Sequence, residues 1–126
     1  MTFEQIIKKL KSMANPKNVA GMARFGINPK YALGIKVPAL RKKDKEILKD
    51  SKYKNNPSGR HKLSGQLWNS KLHEVRILAS MIDHPDKVTE AQMDSWTAKF
   101  NSWDLCDQVC MNLFDKTPYA FNKAIE

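Results

Sequence analysis

Two stretches of this sequence decide the fold: residues 69–83, NSKLHEVRILASMID, and residues 101–115, NSWDLCDQVCMNLFD. Both begin with Asn-Ser and end with Asp, and several apolar residues recur at the same offset of 32 positions. The Asn-Ser pair predicts a helix start in each stretch, and the apolar spacing that follows predicts an amphipathic helix. An internal period in the thirties that spans one helix pair is typical of an α-solenoid. A compact helix bundle with coincidental similarity remains the alternative.

The rest of the chain gives further helix signals and no strand signal. Thr2 with Gln5 and Thr89 with Gln92 form capping boxes, and a proline opens each of three other apolar segments. No segment alternates with the period of two that marks a strand. We therefore expect an all-α, HEAT-like helical-repeat solenoid of about eight helices, the last of which begins at Thr117-Pro118.

Composition bounds the class of protein. The chain has 126 residues, 28% of them charged and 41% hydrophobic, which fits a single globular domain over residues 1–126. No apolar run approaches the ~20 residues that cross a membrane, and the N-terminus lacks a secretory pattern, so a cytoplasmic protein with no membrane partner is expected. Cys106 and Cys110 lie in an apolar stripe without a histidine at metal-ligand spacing, so we expect no metal and no other cofactor.

Charge is divided unevenly along the chain. Residues 1–63 contain 16 Lys and Arg against 4 Asp and Glu, whereas residues 64–126 contain 6 against 9. Clustered cations gain affinity for phosphates by releasing counterions, so the basic half predicts a polyanionic partner, with nucleic acid as the first candidate. A lysine-rich surface that merely aids solubility is the alternative. The predicted third helix carries the densest group, a cationic surface of Arg41, Lys42, Lys43, Lys45, Lys49 and Lys52.

The run WDLCD at residues 103–107 carries the candidate chemistry. Positions i and i+4 share a helix face, so Trp103 and Asp107 are expected together at the edge of the apolar face, half desolvated and open to a groove. An indole packed on a sugar and a carboxylate facing an electron-deficient carbon would suit cleavage of a glycosidic bond. Core packing of Trp103 and simple ion pairing of Asp107 are the alternatives. Asp104 is interpreted as a first-turn acid favoured by the helix dipole.

Four ordered motifs then resemble a known family. They are YALGIKVPALR at residues 31–41, LW at 67–68, HEVR at 73–76 with LA at 78–79, and WDLCD at 103–107. Their order and spacing resemble those of the DNA alkylation repair enzymes, alkylpurine DNA glycosylases built from HEAT-like helical repeats. The resemblance extends across most of the chain.

The resemblance implies a reaction and assigns residues to it. A purine alkylated on a ring nitrogen already carries positive charge and leaves without a general acid, so Asp107 would stabilise the sugar cation and orient water while Trp103 contacts the deoxyribose or lesion. The implied partner is double-stranded DNA that carries alkylated bases, and no metal is required. The residues expected to contact DNA are Tyr31, Lys36, Arg41, Lys42, Lys43 and Lys45, although Tyr31 could equally pack under its own loop. The residues expected to have structural roles as family signature positions are Trp68, His73, Glu74, Arg76 and Asp104.

One departure separates this sequence from the family pattern. Family members are about twice as long and use an active-site arginine from a later repeat, whereas the residues after Asp107 include Lys116 and Lys123 but no arginine. We therefore expect the N-terminal part of a longer domain, with self-association through an uncapped C-terminal end. Two other functions stay open: a non-catalytic HEAT-like binder of damaged or branched DNA, and a protein-interaction scaffold.

Overall fold

The described part of the chain is built from helices. The computed structural model describes residues 2–24 and 31–119. Within these ranges there is no β-strand, so the all-α prediction is confirmed. The α-helices are α1 (Phe3–Ser12), α2 (Pro16–Arg24), α3 (Val37–Lys49), α4 (Ser51–Lys54), α5 (Pro57–Trp68), α6 (His73–Ile82), α7 (Glu90–Thr97) and α8 (Trp103–Asn112). Two 3-10 helices lie at Pro85–Lys87 and Phe114–Lys116.

The longer helices form two layers, and α6 is the central helix of one of them. Helix α6 packs against α3 and α8, while α5 packs against α6 from behind and also contacts α1. Trp68 of α5 stacks on Trp96 of α7, with ring centroids 4.1 Å apart and an interplanar angle of 1°. The layers are therefore α3, α6 and α8 on one side and α1, α5 and α7 on the other, an arrangement compatible with a helical repeat.

The capping signals in the sequence are found at the predicted helix starts. The Thr2 side chain accepts a hydrogen bond from the Gln5 backbone N–H, and the Gln5 side chain accepts one from the Thr2 backbone N–H. Thr89 accepts from the backbone N–H of Gln92 at the start of α7, but this is only half of the predicted capping box, and the Gln92 side chain donates to Asp83 Oδ2 at 2.7 Å. Each capping bond satisfies a donor that the first turn would otherwise leave unpaired.

Two helix boundaries differ from the prediction. Helix α6 begins at His73 rather than after Asn69-Ser70, because Lys71 has a φ of 66° and cannot continue a right-handed helix. Asp50 is extended and accepts a hydrogen bond from the Lys52 backbone N–H, so α3 ends at Lys49 and the short helix α4 follows.

The end of the chain was predicted to be an eighth helix with an exposed apolar end. Residues 117–119 are not helical, and the remainder of that predicted helix lies outside the described residues. The predicted surface for self-association lies outside them as well.

Two of the expected signature residues meet at the edge of the core. Trp68 is buried, and the Arg76 guanidinium lies 4.6 Å from the centre of its ring. Arg76 Nε also donates to the Trp68 carbonyl oxygen at 3.0 Å, which ties α6 to the end of α5. Burial lowers the pKa of Arg76 from its ordinary value, but the group still carries its charge at neutral pH. Arg76 therefore covers the outer face of the Trp68 and Trp96 stack.

Candidate nucleic-acid interface

A groove separates the start of α8 from α2 and the segment at residues 34–37. Its volume is about 500 Å³. Trp103 forms one wall and remains 57% exposed, which is unusual for so large an apolar side chain. The other apolar side chains of the groove are Met22, Ile35 and Val37, and the cations Lys17 and Lys36 also line it. The groove thus combines an accessible aromatic ring with two positive charges.

Asp107 lies one helical turn after Trp103 on α8 and is exposed. It does not line the groove itself, whereas Asp104 does. The sequence predicted a half-desolvated carboxylate at the edge of a groove, and the structure places Asp107 in fuller contact with water. An exposed carboxylate can act strongly on a cationic centre only when a bound molecule excludes that water.

The segment at residues 34–37, which is the loop wall of the groove, is held by one buried carboxylate. Glu74 is 1% exposed, and its two carboxylate oxygens accept three backbone N–H bonds. The donors are Leu33 at 2.7 Å, Gly34 at 2.6 Å and Ile35 at 3.0 Å. Charge-assisted bonds of this kind are about twice as strong as neutral ones. Because Glu74 is the second residue of α6, the loop is fixed to the central helix of the fold.

The same loop is held from its other side by the turn between α1 and α2. Asn15 donates its backbone N–H to the Leu33 carbonyl at 2.7 Å, and the Asn18 side chain donates to the Gly34 carbonyl at 2.9 Å. Gly34 has a φ of 81°, and a Cβ at this position would lie 2.1 Å from the Asn15 carbonyl oxygen. Only glycine fits this position, both in backbone conformation and in space.

The other wall, formed by Trp103 at the start of α8, is also fixed to the start of α6. His73 is buried, and its Nε2 atom lies 2.7 Å from Oδ2 of Asp104, the second residue of α8. Burial alone would raise the pKa of Asp104, but hydrogen bonds to the carboxylate, foremost the one from His73, lower that pKa below its ordinary value. The backbone N–H of His73 also donates to the Tyr31 carbonyl at 3.0 Å. His73 and Glu74 together therefore anchor both walls of the groove.

One of the cations predicted to contact DNA is buried. Arg41 is exposed, and its Nη2 atom donates to Oδ1 of Asn112 on α8 at 3.1 Å. Lys43 is a correction to the prediction, because it is only 6% exposed and its Nζ lies 2.6 Å from Oε2 of Glu46. The cations of the predicted set that are exposed are Lys36, Arg41, Lys42 and Lys45, and the Tyr31 side chain is 43% exposed.

Cys110 does not have the properties of a reactive thiol. Cys106 and Cys110 are free and half-buried on α8. Burial and the neighbouring Cys106 thiol raise the pKa of Cys110 to about 11, so at neutral pH this thiol is protonated and a poor nucleophile. Within residues 2–24 and 31–119, no three His, Cys, Asp or Glu side chains lie close enough together to hold a metal ion. The helices in these ranges are also too short or too polar to cross a membrane.

Sequence reasoning missed part of the groove. Lys17 and Asn18 were not singled out, although they follow the Asn15-Pro16 helix start directly. Their position in the first turn of a predicted helix could have indicated these two residues, because side chains at a helix end are accessible. That this end faces Trp103 depends on the packing of α2 beside the loop and could not be inferred from spacing.

Comparison with known proteins agrees with the motifs. A family model described as DNA alkylation repair enzyme matches residues 6–125, nearly the whole chain. Neither a curated protein nor a solved structure matches the chain significantly. The matched range includes both walls of the groove, the Glu74 carboxylate and the whole of α8. The chain therefore belongs to the DNA alkylation repair enzyme family, which gives it a role in DNA repair.

Proposed function

We propose that this chain is a DNA glycosylase that excises cationic N-alkylated purines from double-stranded DNA. The observation that carries the proposal is the exposed pair on α8: the Trp103 ring beside a cationic groove and the Asp107 carboxylate one turn further on. Family membership supplies the context of alkylation damage. A HEAT-like repeat architecture, compatible with the two helix layers, is part of the proposal.

The chemistry follows from the charge of the lesion. Cleavage of the N-glycosidic bond develops positive charge on the deoxyribose, and a carboxylate close to that sugar lowers the energy of the transition state. The alkylated purine departs as a neutral base, so no protein acid has to protonate it. Asp107 would stabilise the sugar cation and orient the attacking water, and Trp103 would pack against the sugar or lesion.

DNA binding itself would complete the electrostatics of the site. Asp107 is exposed in the free chain, so a docked duplex must exclude water before the carboxylate acts through a low dielectric. Lys17 and Lys36 would contact phosphates beside Trp103, and Arg41 would do so further along α8. These three cations are assigned because Lys17 and Lys36 line the groove and Arg41 is bonded to Asn112 of α8.

The test is release of methylated purines from alkylated duplex DNA. Asp107→Asn should lower the single-turnover rate by at least about 100-fold, the usual cost of removing one group that stabilises transition-state charge. Trp103→Ala should weaken both binding and excision. Asp115→Asn, which removes an exposed carboxylate beyond the end of α8, is the matched control and should retain the wild-type rate. Equal release by wild type and Asp107→Asn would rule out the role assigned to Asp107.

A non-catalytic binder of damaged or branched DNA is the second candidate. It is favoured by the exposure of Asp107, whose carboxylate does not line the groove. Both candidates predict DNA affinity that falls steeply with salt, so only the excision assay separates them. A protein-interaction scaffold, the third reading of the fold, would be supported by a lack of DNA binding at low salt.

A further inference from the structure

One carboxylate lies on the same helix as Arg41, a cation that the proposed function assigns to DNA. Asp44 is on α3, three residues after Arg41, so both side chains lie on the same side of that helix. Arg41 bridges to Asn112 of α8, and the Asn112 side chain in turn donates to Ser80 Oγ of α6 at 3.2 Å. Asp44 therefore belongs to the side of α3 that faces the α6 and α8 layer.

The carboxylate is poorly solvated and is not compensated by hydrogen bonds. Its Oδ1 atom is fully buried and has no hydrogen-bond partner among the described residues. An ionised oxygen in such a position is costly unless a charge or a donor satisfies it. Nearby cations therefore offset part of the cost of the charged form.

Four cations act electrostatically on Asp44, and they come from three elements. They are Arg41 and Lys45 of α3, Arg60 of α5, and Lys116 of the second 3-10 helix. Arg60 is committed to the end of α6, where its guanidinium donates to the carbonyls of Ile82 at 2.9 Å and Asp83 at 3.3 Å. The other three are exposed and accessible to a phosphate.

Burial and the cations act on Asp44 in opposite directions. Burial raises its pKa to about 6 despite the attraction of Arg60, Arg41, Lys116 and Lys45. A phosphate bound by the exposed cations would weaken that attraction and would also repel the carboxylate directly. Both effects favour protonation of Asp44 when DNA is bound.

We infer that Asp44 is a proton-linked modulator of DNA affinity, an internal acid that competes with phosphate for Arg41, Lys45 and Lys116. This inference rests on the proposed binding of DNA. Because linkage is reciprocal, DNA binding favours protonation of Asp44, and protonation of Asp44 strengthens DNA binding. The neutral form leaves one more unit of net positive charge on the surface, so affinity rises as pH falls through the range in which Asp44 titrates.

The experiment measures binding of a fluorescent, undamaged duplex by anisotropy from pH 5 to pH 8 at constant ionic strength. Wild type should bind about fivefold more tightly at pH 5.5 than at pH 7.5. Asp44→Asn should bind at pH 7.5 as wild type does at pH 5.5, with a much flatter profile. Asp115→Asn removes a charge beside Lys116 but keeps Asp44, so it should bind more tightly at every pH and retain the wild-type slope.

Two outcomes of the binding experiment would overturn the inference, and each has a distinct meaning. Parallel pH profiles for wild type and Asp44→Asn, with binding intact, would contradict the coupling alone. Absence of binding by all three proteins at low salt would contradict the proposed function and the coupling with it. A direct measurement is independent of DNA: the carboxyl carbon of Asp44, followed by NMR in the free protein, should titrate near pH 6. A midpoint at or below about pH 4, the ordinary range of aspartate, would also overturn the inference.

Discussion

The Nε2 atom of His73 lies 2.7 Å from Oδ2 of Asp104, and this bond joins the start of α6 to the start of α8. The next residue, Glu74, holds the loop at residues 33–35 from the same end of α6. One helix terminus thus positions both the Trp103 wall and the loop wall of the groove. Changes at these residues should alter stability and groove geometry together, whereas changes at Asp107 should alter chemistry alone.

Asp104→Asn should lower the free energy of unfolding by about 1.5 kcal/mol at pH 7, because a charge-assisted hydrogen bond to buried His73 becomes a neutral one. The pKa of Asp104 is lowered in the folded state, so its contribution is present above its ordinary pKa and is lost as pH falls through the folded value. Urea unfolding should show the difference at about pH 5 and above and lose it towards about pH 3.

Asp107→Asn is the matched control for that measurement. It removes an exposed carboxylate from the same helix and should change stability by less than about 0.5 kcal/mol. A comparable loss of stability in Asp104→Asn and Asp107→Asn would show that the hydrogen bond between His73 and Asp104 makes no specific contribution to stability. It would also mean that reduced excision by Asp107→Asn cannot be separated from reduced stability.

Glu74→Gln should lower the free energy of unfolding by about 3 kcal/mol. The amide removes the negative charge and presents a donor to backbone N–H groups that need an acceptor. Amide hydrogen exchange at residues 33–35 should accelerate by more than exchange in the core of α5. Glu4→Gln is matched in position, since Glu4 is the second residue of α1 but is exposed, and it should cost at most about 0.5 kcal/mol. Unchanged exchange in Glu74→Gln would contradict the role of Glu74 in holding the loop.

The part of this arrangement that sequence could predict was the part set by local spacing. The Thr2 and Thr89 caps and the apolar faces of the helices follow from contacts within four residues, and the structure confirms them. The i, i+4 relation of Trp103 and Asp107 was predictable for the same reason. The start of α6 was not, because the positive φ of Lys71 interrupts a segment whose composition permits a helix.

Burial and long-range pairing lie beyond local spacing. Lys43 occupies the same kind of position in the sequence as Lys42 and Lys45, and only the packing of α3 decides that it is buried against Glu46. Glu74 contacts a loop about forty positions earlier, so its role depends on how α6 meets that loop. Exposure of Asp107 likewise depends on which elements pack against α8.

Gly34→Ala and Gly65→Ala should change stability in opposite directions. At Gly34 the φ of 81° and the Asn15 carbonyl leave no space for a Cβ, so the substitution should cost about 3 kcal/mol and should open the groove loop. At Gly65, within α5, no neighbouring atom lies within 4 Å of the position that a Cβ would take. Alanine should therefore stabilise the helix by about 0.5–1 kcal/mol. Thermal unfolding of both variants checks the pair, and a stable Gly34→Ala protein would contradict the close approach of the loop to Asn15.

Asp44→Asn should stabilise the protein at neutral pH, even though it removes a charged group from a cationic neighbourhood. The folded-state pKa of Asp44 is raised to about 6, above its ordinary value of 3.8, so folding disfavours the ionised form. Ionised Asp44 therefore lowers the free energy of unfolding at pH values above 6. This destabilisation disappears as pH falls towards about 4, where Asp44 is increasingly protonated in both the folded and the unfolded protein. Because the side chain is partly exposed, solvent screening reduces the expected gain to about 1 kcal/mol at pH 7.5.

Urea unfolding of wild type and Asp44→Asn at pH 7.5 and at about pH 4 checks this sign. The variant should be more stable at the higher pH, and the two proteins should be equal at the lower one. Asp115→Asn, which removes an exposed carboxylate near the same cations, should stay within about 0.5 kcal/mol of wild type at both pH values. A destabilised Asp44→Asn protein at pH 7.5 would mean that attraction from Arg41, Arg60 and the neighbouring lysines outweighs burial. Asp44 would then be a structural ion-pair partner that stays charged when DNA binds.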